Sequence, residues 1–392
     1  MQRSTTGLTT ATTGDRSTIE VDTVLLKVAS RCNIDCSYCY VYNMGDDSWR
    51  DMPALMSGAT IDAVCNALAV LRQDQRRSFA VVLHGGEPLM LGARRLEHLL
   101  KSLRHVLPEG ANPLSLQTNG VLITPRILDI CAKYAISLSV SLDGPRPIND
   151  RFRIGKRGEG THDDAVRGIR LLRGHPESNA LFSGVLAVIN PLSSPQEVYQ
   201  YLKGLGAPSI DFLYRDGNHT TLPFGKDSFE SIEYAEWLVV VLDEYLADPA
   251  PPRIRFLDDL IKLCLGGRGI KEGSGEVDFG IAIIDSDGSI TKNDTLKSTY
   301  NGADRFRQTW SVHTHRLSDV FASQEFKEYF AIQRPTSQEC RGCSELAICG
   351  GGMPLHRWRE GRGFDNPSIY CADQRHLIST IHHRLRRAGL SS

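Results

Sequence analysis

Short apolar runs rich in branched residues recur along the first half of the chain, and nearly every one closes on polar or Gly-bearing residues. "TVLLKVA" (23–29), "FAVVLHG" (79–85), "LSLQTNG" (114–120), "ISLSVSLDG" (136–144), "LFSGVLAVIN" (181–190) and "SIDFLYR" (209–215) read as strands. Between them lie stretches of helical spacing, such as "TIDAVCNALAVLRQ" (60–73) and "THDDAVRGIRLLRG" (161–174). This β-then-α alternation calls for parallel strands joined by right-handed crossovers. A doubly wound sheet concentrates its ligand at one switch point, whereas a barrel gathers its site from the C-terminal ends of many strands. Because so many strand ends here are polar, the pattern predicts an α/β fold built on an open, partial (β/α)6 TIM-type barrel.

The rhythm changes near residue 216. "DGNHTTLPFGKD" reads as a loop, "SIEYAEWLVVVLDEYLA" as an amphipathic helix, and "IAIIDSDGSITK" (281–292) as a hairpin turning on Asp287-Gly288. Residues 335–371 are rich in Cys and Gly, and a closing helix follows over 372–387. The expected division is a disordered tail (1–22), the barrel (23–215), a helical bridging region (216–280) and a small Cys-rich C-terminal domain (281–392). Lys+Arg total 45 against 46 Asp+Glu, so no charge excess points to nucleic acid or a membrane surface. No apolar run reaches the roughly 18 residues of a membrane span, and the Thr-rich first 20 residues lack the apolar middle of a secretory signal. The expected location is cytoplasmic. There, ten cysteines are better explained as metal ligands or buried thiols than as disulfides.

Cys32, Cys36 and Cys39 fall within eight positions of "SRCNIDCSYCYVYN". Three thiolates at this spacing can hold three corners of a metal cluster. A tetrahedral zinc would want a fourth ligand, and no neighbour supplies one. A 4Fe-4S cube held by three cysteines leaves one iron open to a small molecule. "CNIDCSYCY" resembles the CxxxCxxC loop of radical S-adenosylmethionine (SAM) enzymes, which also follows a first strand. The resemblance implies that SAM chelates the open iron and is cleaved by one electron to a 5'-deoxyadenosyl radical. It assigns "HGGEP" (84–88) to the SAM amino group through Gly85, Gly86 and Glu87, with His84 a packed turn residue or a participant. Tyr38 belongs to the loop itself. "QTNG" and "SLDGP" are similar to strand ends of the peptide-modifying branch, which puts Gln117, Asn119, Ser141 and Asp143 at the barrel mouth. Arg153 matches the arginine that pairs with the SAM carboxylate, and Asn190 a polar position near the nucleoside.

Cys340, Cys343, Cys349 and Cys371 can close a second site, by spacing alone a zinc knuckle or an iron–sulfur cluster. The set resembles the SPASM extension of radical SAM peptide maturases, in which it holds an auxiliary 4Fe-4S cluster. Two further Cys positions of that pattern are Asn293 and Met353 here, so the resemblance implies two 4Fe-4S clusters in all, with Cys65, Cys131 and Cys264 as buried thiols. The stretches "VLHGGEPL", "DSDGSITKNDTLKSTYNGA" and "CGGGMPLHRWREGRGFDNPSIYCAD" are similar to the FxsB group of maturases across about residues 23–380.

That likeness implies a cytoplasmic enzyme acting on a ribosomal precursor peptide. The expected product is a carbon–carbon cross-link at an unactivated Cβ, a three-residue cyclophane, with electrons from a donor such as flavodoxin or ferredoxin. Asp294 is then the expected catalytic base, while Lys297 and Tyr300 are candidates to bind the peptide. No leader-recognition module is expected before residue 23, so the rim, the 216–280 segment or a separate protein would recognise the precursor. The alternatives are epimerisation, a thioether or ether cross-link, formylglycine formation, or a zinc-stabilised peptide-binding protein without catalysis.

Overall fold

The computed structural model describes residues 19–390, so the tail expected over 1–22 lies largely outside the described residues. Six parallel strands form the centre: β1 (Thr23–Ala29), β2 (Ala80–Gly85), β3 (Leu114–Thr118), β4 (Ile136–Ser141), β5 (Phe182–Val188) and β6 (Ser209–Leu213). They pair in chain order and the sheet stays open, since β1 and β6 do not meet. The α/β fold with an open six-strand barrel is therefore the observed architecture.

Each crossover carries a helix. Among these are α1 (Gly58–Asp74), α2 (Gly92–Val106), α3 (Pro125–Lys133), α4 (His162–Gly174) and α5 (Pro195–Gly204). Local chemistry starts them: the Ser57 side chain caps α1 by accepting from Thr60 N, and Thr124 and Ser194 cap helices that open on a proline. On α2 the buried positions are Leu96, Leu99, Leu100 and Leu103, the i, i+3, i+4, i+7 stripe that packs on a sheet.

The strands alternate between buried and partly buried residues. On the outer face, Leu26, Leu83, Leu116 and Leu138 stand side by side in register, each at most 1 % exposed. Burying such a row and the helix stripes over it contributes about 1.5–3 kcal/mol per side chain. The inner-facing positions include His84, Gln117 and Ser141, which look into a cavity at the C-terminal ends of the strands.

Beyond the barrel come α6 (Glu233–Ala247), the short β7 (Arg253–Ile254), α7 (Arg255–Cys264), and a hairpin of β8 (Ile281–Ile284) and β9 (Ser289–Thr291). Gly288 takes φ +88° in its turn, as the Asp-Gly pair predicts. Then follow β10 (Trp310–Ser311) and the closing α8 (Cys371–Arg387). β8 pairs in parallel with β1, and β7 pairs with β6, giving one ten-stranded sheet ordered β10-β9-β8-β1-β2-β3-β4-β5-β6-β7. The sheet thus runs across the boundary expected at residue 281.

A buried charge cluster fastens that junction. Lys27 Nζ on β1 lies 3.1 Å from Asp285 and 3.2 Å from Asp294, and Lys297 Nζ lies 2.7 Å from Asp304 and 3.1 Å from Asp46. Burial alone would lower the Lys27 pKa, but Asp294 and then Asp285 outweigh it and hold the amine above its ordinary value. Removing one partner of a buried pair leaves uncompensated charge. Lys27→Met is expected to destabilise the fold by about 3–5 kcal/mol in urea titration, and Lys27→Met with Asp294→Asn to recover part of that loss.

Candidate functional site

A cavity of about 450 Å³ opens at the C-terminal ends of the strands. Its wall includes Cys32, Cys36 and Cys39, the 84–87 turn, Gln117, Asn119, Ser141 and Arg153. The cysteine loop is placed by backbone contacts. Gly86 N donates to Ala29 O at 2.8 Å and Glu87 N to Arg31 O at 3.0 Å. Gly85 has φ +131°; a Cβ there would overlap the Ala29 carbonyl oxygen, and one on Gly86 would overlap Arg31 O and the Tyr42 hydroxyl. These glycines admit the protein's own loop, a closer constraint than the ligand approach expected of them.

Ile34–Cys36 then pairs antiparallel with Arg153–Gly155, with Cys36 opposite Arg153, so the loop and the arginine arrive together. Arg153 Nη1 donates to Tyr38 Oη at 2.9 Å, and Tyr38 Oη donates to Asp143 Oδ2 at 2.7 Å. Asp143 is 3 % exposed, and its other oxygen accepts from Val188 N, so it braces the wall from behind where the sequence pattern put it at the mouth. Gln117 Nε2 donates to Ser141 Oγ at 2.8 Å across β3 and β4.

Glu87 is 1 % exposed and accepts from Leu89 N, Thr118 Oγ1 and Asn119 N. It is therefore a brace of the turn as well as an acceptor facing the cavity. Burial raises its pKa, with those donors pulling the other way. Asn119 Nδ2 lies 2.8 Å from Asn33 Oδ1 and 3.7 Å from Cys32 Sγ. Burial pushes the thiols up, Cys32 to about 11 and Cys39 to about 12. A metal must displace their protons to use them. In a cube each thiolate binds its own iron, so an all-sulfur donor set of three fits a cluster.

The profile of the Radical SAM superfamily matches residues 26–187, which hold this loop, β2 to β4 and most of β1 and β5. Residues 26–187 are a radical SAM domain. Enzymes of this superfamily use a 4Fe-4S cluster and SAM. The whole chain is similar to a cysteine-type anaerobic sulfatase-maturating enzyme of Clostridium perfringens strain 13, 23% identical over 92% of this chain and 96% of that one. It is also similar to a serine-type anaerobic sulfatase-maturating enzyme of Klebsiella pneumoniae, 24% identical over 87% and 83%. Among solved structures, native anSMEcpe with bound AdoMet aligns at TM-score 0.79 and 20% identity over 93% of this chain and 98% of that chain. Streptococcus suis SuiB bound to its precursor peptide SuiA aligns at 0.61 and 15% over 90% and 76%. These likenesses establish a shared fold.

Outside the radical SAM domain, several expectations change. Asp294 is 3 % exposed and ion-paired to Lys27, and only its neighbour Thr295 reaches the cavity wall. Its Oδ1 serves Lys27 as a counter-ion, while its buried Oδ2 has no hydrogen-bond partner among the described residues. Lys297 is 2 % exposed and buried among Asp46, Ser48 and Asp304, so it is no peptide ligand. Tyr300 is exposed, but on a separate groove. Asn190, three residues past the matched segment, spends its side-chain oxygen on Leu192 N in a turn and is absent from the cavity wall. His84 lines the cavity; burial, with help from Lys27, pushes it down to about 4, so it is neutral there.

The C-terminal cysteines converge. Burial raises Cys349 to about 12, and Cys371, Cys340 and Cys343 press on it in that order. The turn that seats them follows Cys349 directly: Gly350, Gly351 and Gly352 all take positive φ, and a Cβ at Gly350 would strike the backbone of Gly275. Cys349 Sγ donates to Gln374 Oε1 at 2.9 Å, and Gln374 also lines the cavity. At the vacated Cys positions, Asn293 donates to Glu272 at 2.7 Å and Met353 packs at the wall. Cys65 and Cys131 are buried and Cys264 only partly so.

The sequence pattern missed Asp216 and Glu272, both in the wall. Burial raises each carboxyl to about 7. Asp216 lies three residues past the end of the sixth strand, so the rule that barrels gather function at strand ends could have found it. Gly86→Ala is expected to loosen the cysteine loop while the strands stay folded. In the iron-free protein, mass-spectrometric alkylation of Cys32, Cys36 and Cys39 should accelerate relative to Cys131.

Proposed function

We propose that this protein is a radical SAM enzyme that modifies a ribosomally made peptide, forming a carbon–carbon cross-link of the three-residue cyclophane type. The observation that carries the reading is the convergence of three unpaired thiols on one cavity that is walled by strand ends and large enough for a nucleoside and a side chain together. When bound, the 4Fe-4S cluster with SAM supplies a 5'-deoxyadenosyl radical able to remove a hydrogen atom from carbon.

The chain's own residues prepare that chemistry. Cys32, Cys36 and Cys39 would each hold an iron. Arg153, fixed by Tyr38, would receive the SAM carboxylate in its planar fork, and Glu87 would accept from the amino group. Gln117, Asn119 and Ser141 would orient the rest of the cofactor. Phe212 and Phe256 give the wall apolar surface and Tyr40 of the cysteine loop adds a ring, which helps exclude water from a radical and offers an aromatic ring of the peptide a surface to pack on. Cys340, Cys343, Cys349 and Cys371 would hold a second cluster against the same cavity through Gln374.

The likeness to sulfatase-maturating enzymes favours a second reading, oxidation of a Cys or Ser side chain to an aldehyde in a protein substrate. Tandem mass spectrometry separates the two. Anaerobic incubation of the reconstituted enzyme with SAM, dithionite and a synthetic copy of the peptide encoded beside the gene should give a product two hydrogens lighter, with no fragmentation between the joined residues. An aldehyde reactive toward hydrazine supports the second reading, and an unchanged peptide with free deoxyadenosine defeats the first.

Metal analysis gives an independent check. The loaded protein is expected to carry about eight irons per chain, four for each cube. Cys32→Ala should lose about four of them together with all SAM cleavage, and Cys349→Ala should lose a similar share but still cleave SAM. Zinc in place of iron would support a non-catalytic scaffold.

A further inference from the structure

Four acidic side chains reach the cavity wall: Glu87, Asp211, Asp216 and Glu272. Three of them are already engaged. Glu87 accepts from three protein donors. Asp211 is paired with Lys271 at 2.6 Å and Arg255 at 2.8 Å. Glu272 accepts from Asn293 Nδ2 at 2.7 Å. Asp216 differs: among the described residues no donor lies within hydrogen-bond distance of its carboxyl, and no cation within 4 Å. Its chain neighbour Arg215 turns away to stack on Phe152, Tyr38 and Phe224, with the guanidinium carbon 4.3, 5.1 and 5.4 Å from the ring centres.

We propose that Asp216 is the group that accepts the substrate proton in this cavity, the role the sequence pattern gave to Asp294. The inference rests on the peptide cross-linking reading. In that reaction the peptide gives up one hydrogen atom from Cβ to the deoxyadenosyl radical. The carbon radical then bonds to a ring carbon. The ring regains aromaticity by losing one proton and one electron: the proton goes to the Asp216 carboxylate, and the electron to a one-electron acceptor of the iron–sulfur class. Two hydrogens leave the peptide in all, which balances the product.

The surroundings suit a base. Withdrawal from water raises the Asp216 carboxyl to about 7, against the lowering pull of Arg215. The other titratable groups near it are Tyr40 of the cysteine loop and Tyr370 before α8, and burial pushes both phenols well above their ordinary value. Neither is charged at neutral pH. Glu272 on the same wall is raised to about 7 as well but is held by Asn293, so the Asp216 variants are what assign the acid limb to Asp216. Turnover should rise with pH through about 7 as the carboxylate forms.

The test compares wild type, Asp216→Asn and Asp216→Glu as reconstituted holoenzymes acting on the same synthetic peptide, deuterated at Cβ. Asp216→Asn is expected to lower cross-linking by about 100-fold or more while deuterium still enters deoxyadenosine. Asp216→Glu should restore part of the rate and the acid limb of the pH profile. Cross-linking by Asp216→Asn at the wild-type rate with an unchanged acid limb would overturn the proposal, as would loss of deuterium transfer together with product. A wild type that leaves the peptide unmodified would defeat the peptide reading instead. In that event thermal unfolding of the loaded proteins still decides about Asp216. A raised carboxyl pKa means the unfolded chain ionises first, so its destabilising effect grows from about pH 4 to 7 and then stays level. Asp216→Asn should therefore gain more in Tm over wild type at pH 8 than at pH 5, and an equal gain at both would rule out a carboxyl held neutral by the cavity.

Discussion

Two backbone segments, Ala29–Arg31 and Gly85–Gly86, run so close that neither glycine tolerates a side-chain carbon. The register between β1 and β2 shifts between Lys27 and Ala29 as the strands reach this point. That crossing converts the end of a regular sheet into a platform for the cysteine loop. The hydrogen bonds from Gly86 N and Glu87 N to Ala29 O and Arg31 O replace the ladder that would otherwise continue. The same turn presents Glu87 to Thr118 and Asn119 at the end of β3, so three consecutive strand ends are fixed by one contact. Loop position, cavity shape and the direction of Arg153 all descend from it.

The second constraint is electrostatic. Lys27 stands on the inner face of β1 beside His84 of β2, where an amine has no water, and the hairpin supplies Asp285 and the following turn Asp294. Lys297 repeats the arrangement with Asp46 and Asp304. Buried pairs add little net stability over well-packed apolar residues. What they add here is position, because β8 can join β1 only where its carboxylates meet the amine. The continuity of the sheet from barrel to C-terminal region therefore depends on charges that a purely apolar edge would not specify.

Most of the central fold was legible because each strand is short, apolar on its outer face and closed by turn residues, and the parallel sheet keeps sequential strands adjacent. "LSLQT" and "ISLSVS" alternate polar with apolar because one face meets helices and the other a cavity. The cysteine sets were legible from spacing, which the chain keeps local within "CNIDCSYC" and "CRGCSELAIC". What stayed hidden is long-range. Asp294 and Lys27 are 267 residues apart, and Lys297 and Asp46 are 251 apart, so no local pattern could tell a catalytic carboxylate or a peptide-binding lysine from a counter-ion. Asp143 was placed at the right strand end, but Tyr38 and Val188 N turn its side chain away from the cavity. Asn190 illustrates turn chemistry winning at a strand end, as Asn commonly does.

The first turn of α8 shows how the two cysteine sets share one cavity. Cys371 opens the helix and belongs to the C-terminal set. Asp373, two residues on, accepts from Lys226 Nζ at 2.7 Å and from Ala235 N at 2.9 Å, which ties the helix to the bridging segment. Gln374, one residue further, accepts from Cys349 and reaches the cavity wall. Tyr370, just before, stacks on Tyr214 with ring centres 4.3 Å apart and donates to Arg215 O, the residue before Asp216. Five consecutive residues thus join the second thiol set, the bridging helix, the aromatic wall and the free carboxyl. Because the side chains of one helical turn move as a unit, a shift of α8 cannot disturb the C-terminal cysteines without also moving the wall against which substrate must lie. The distance between the two sets is fixed by packed aromatic rings and a buried ion pair, both stiffer than a loop.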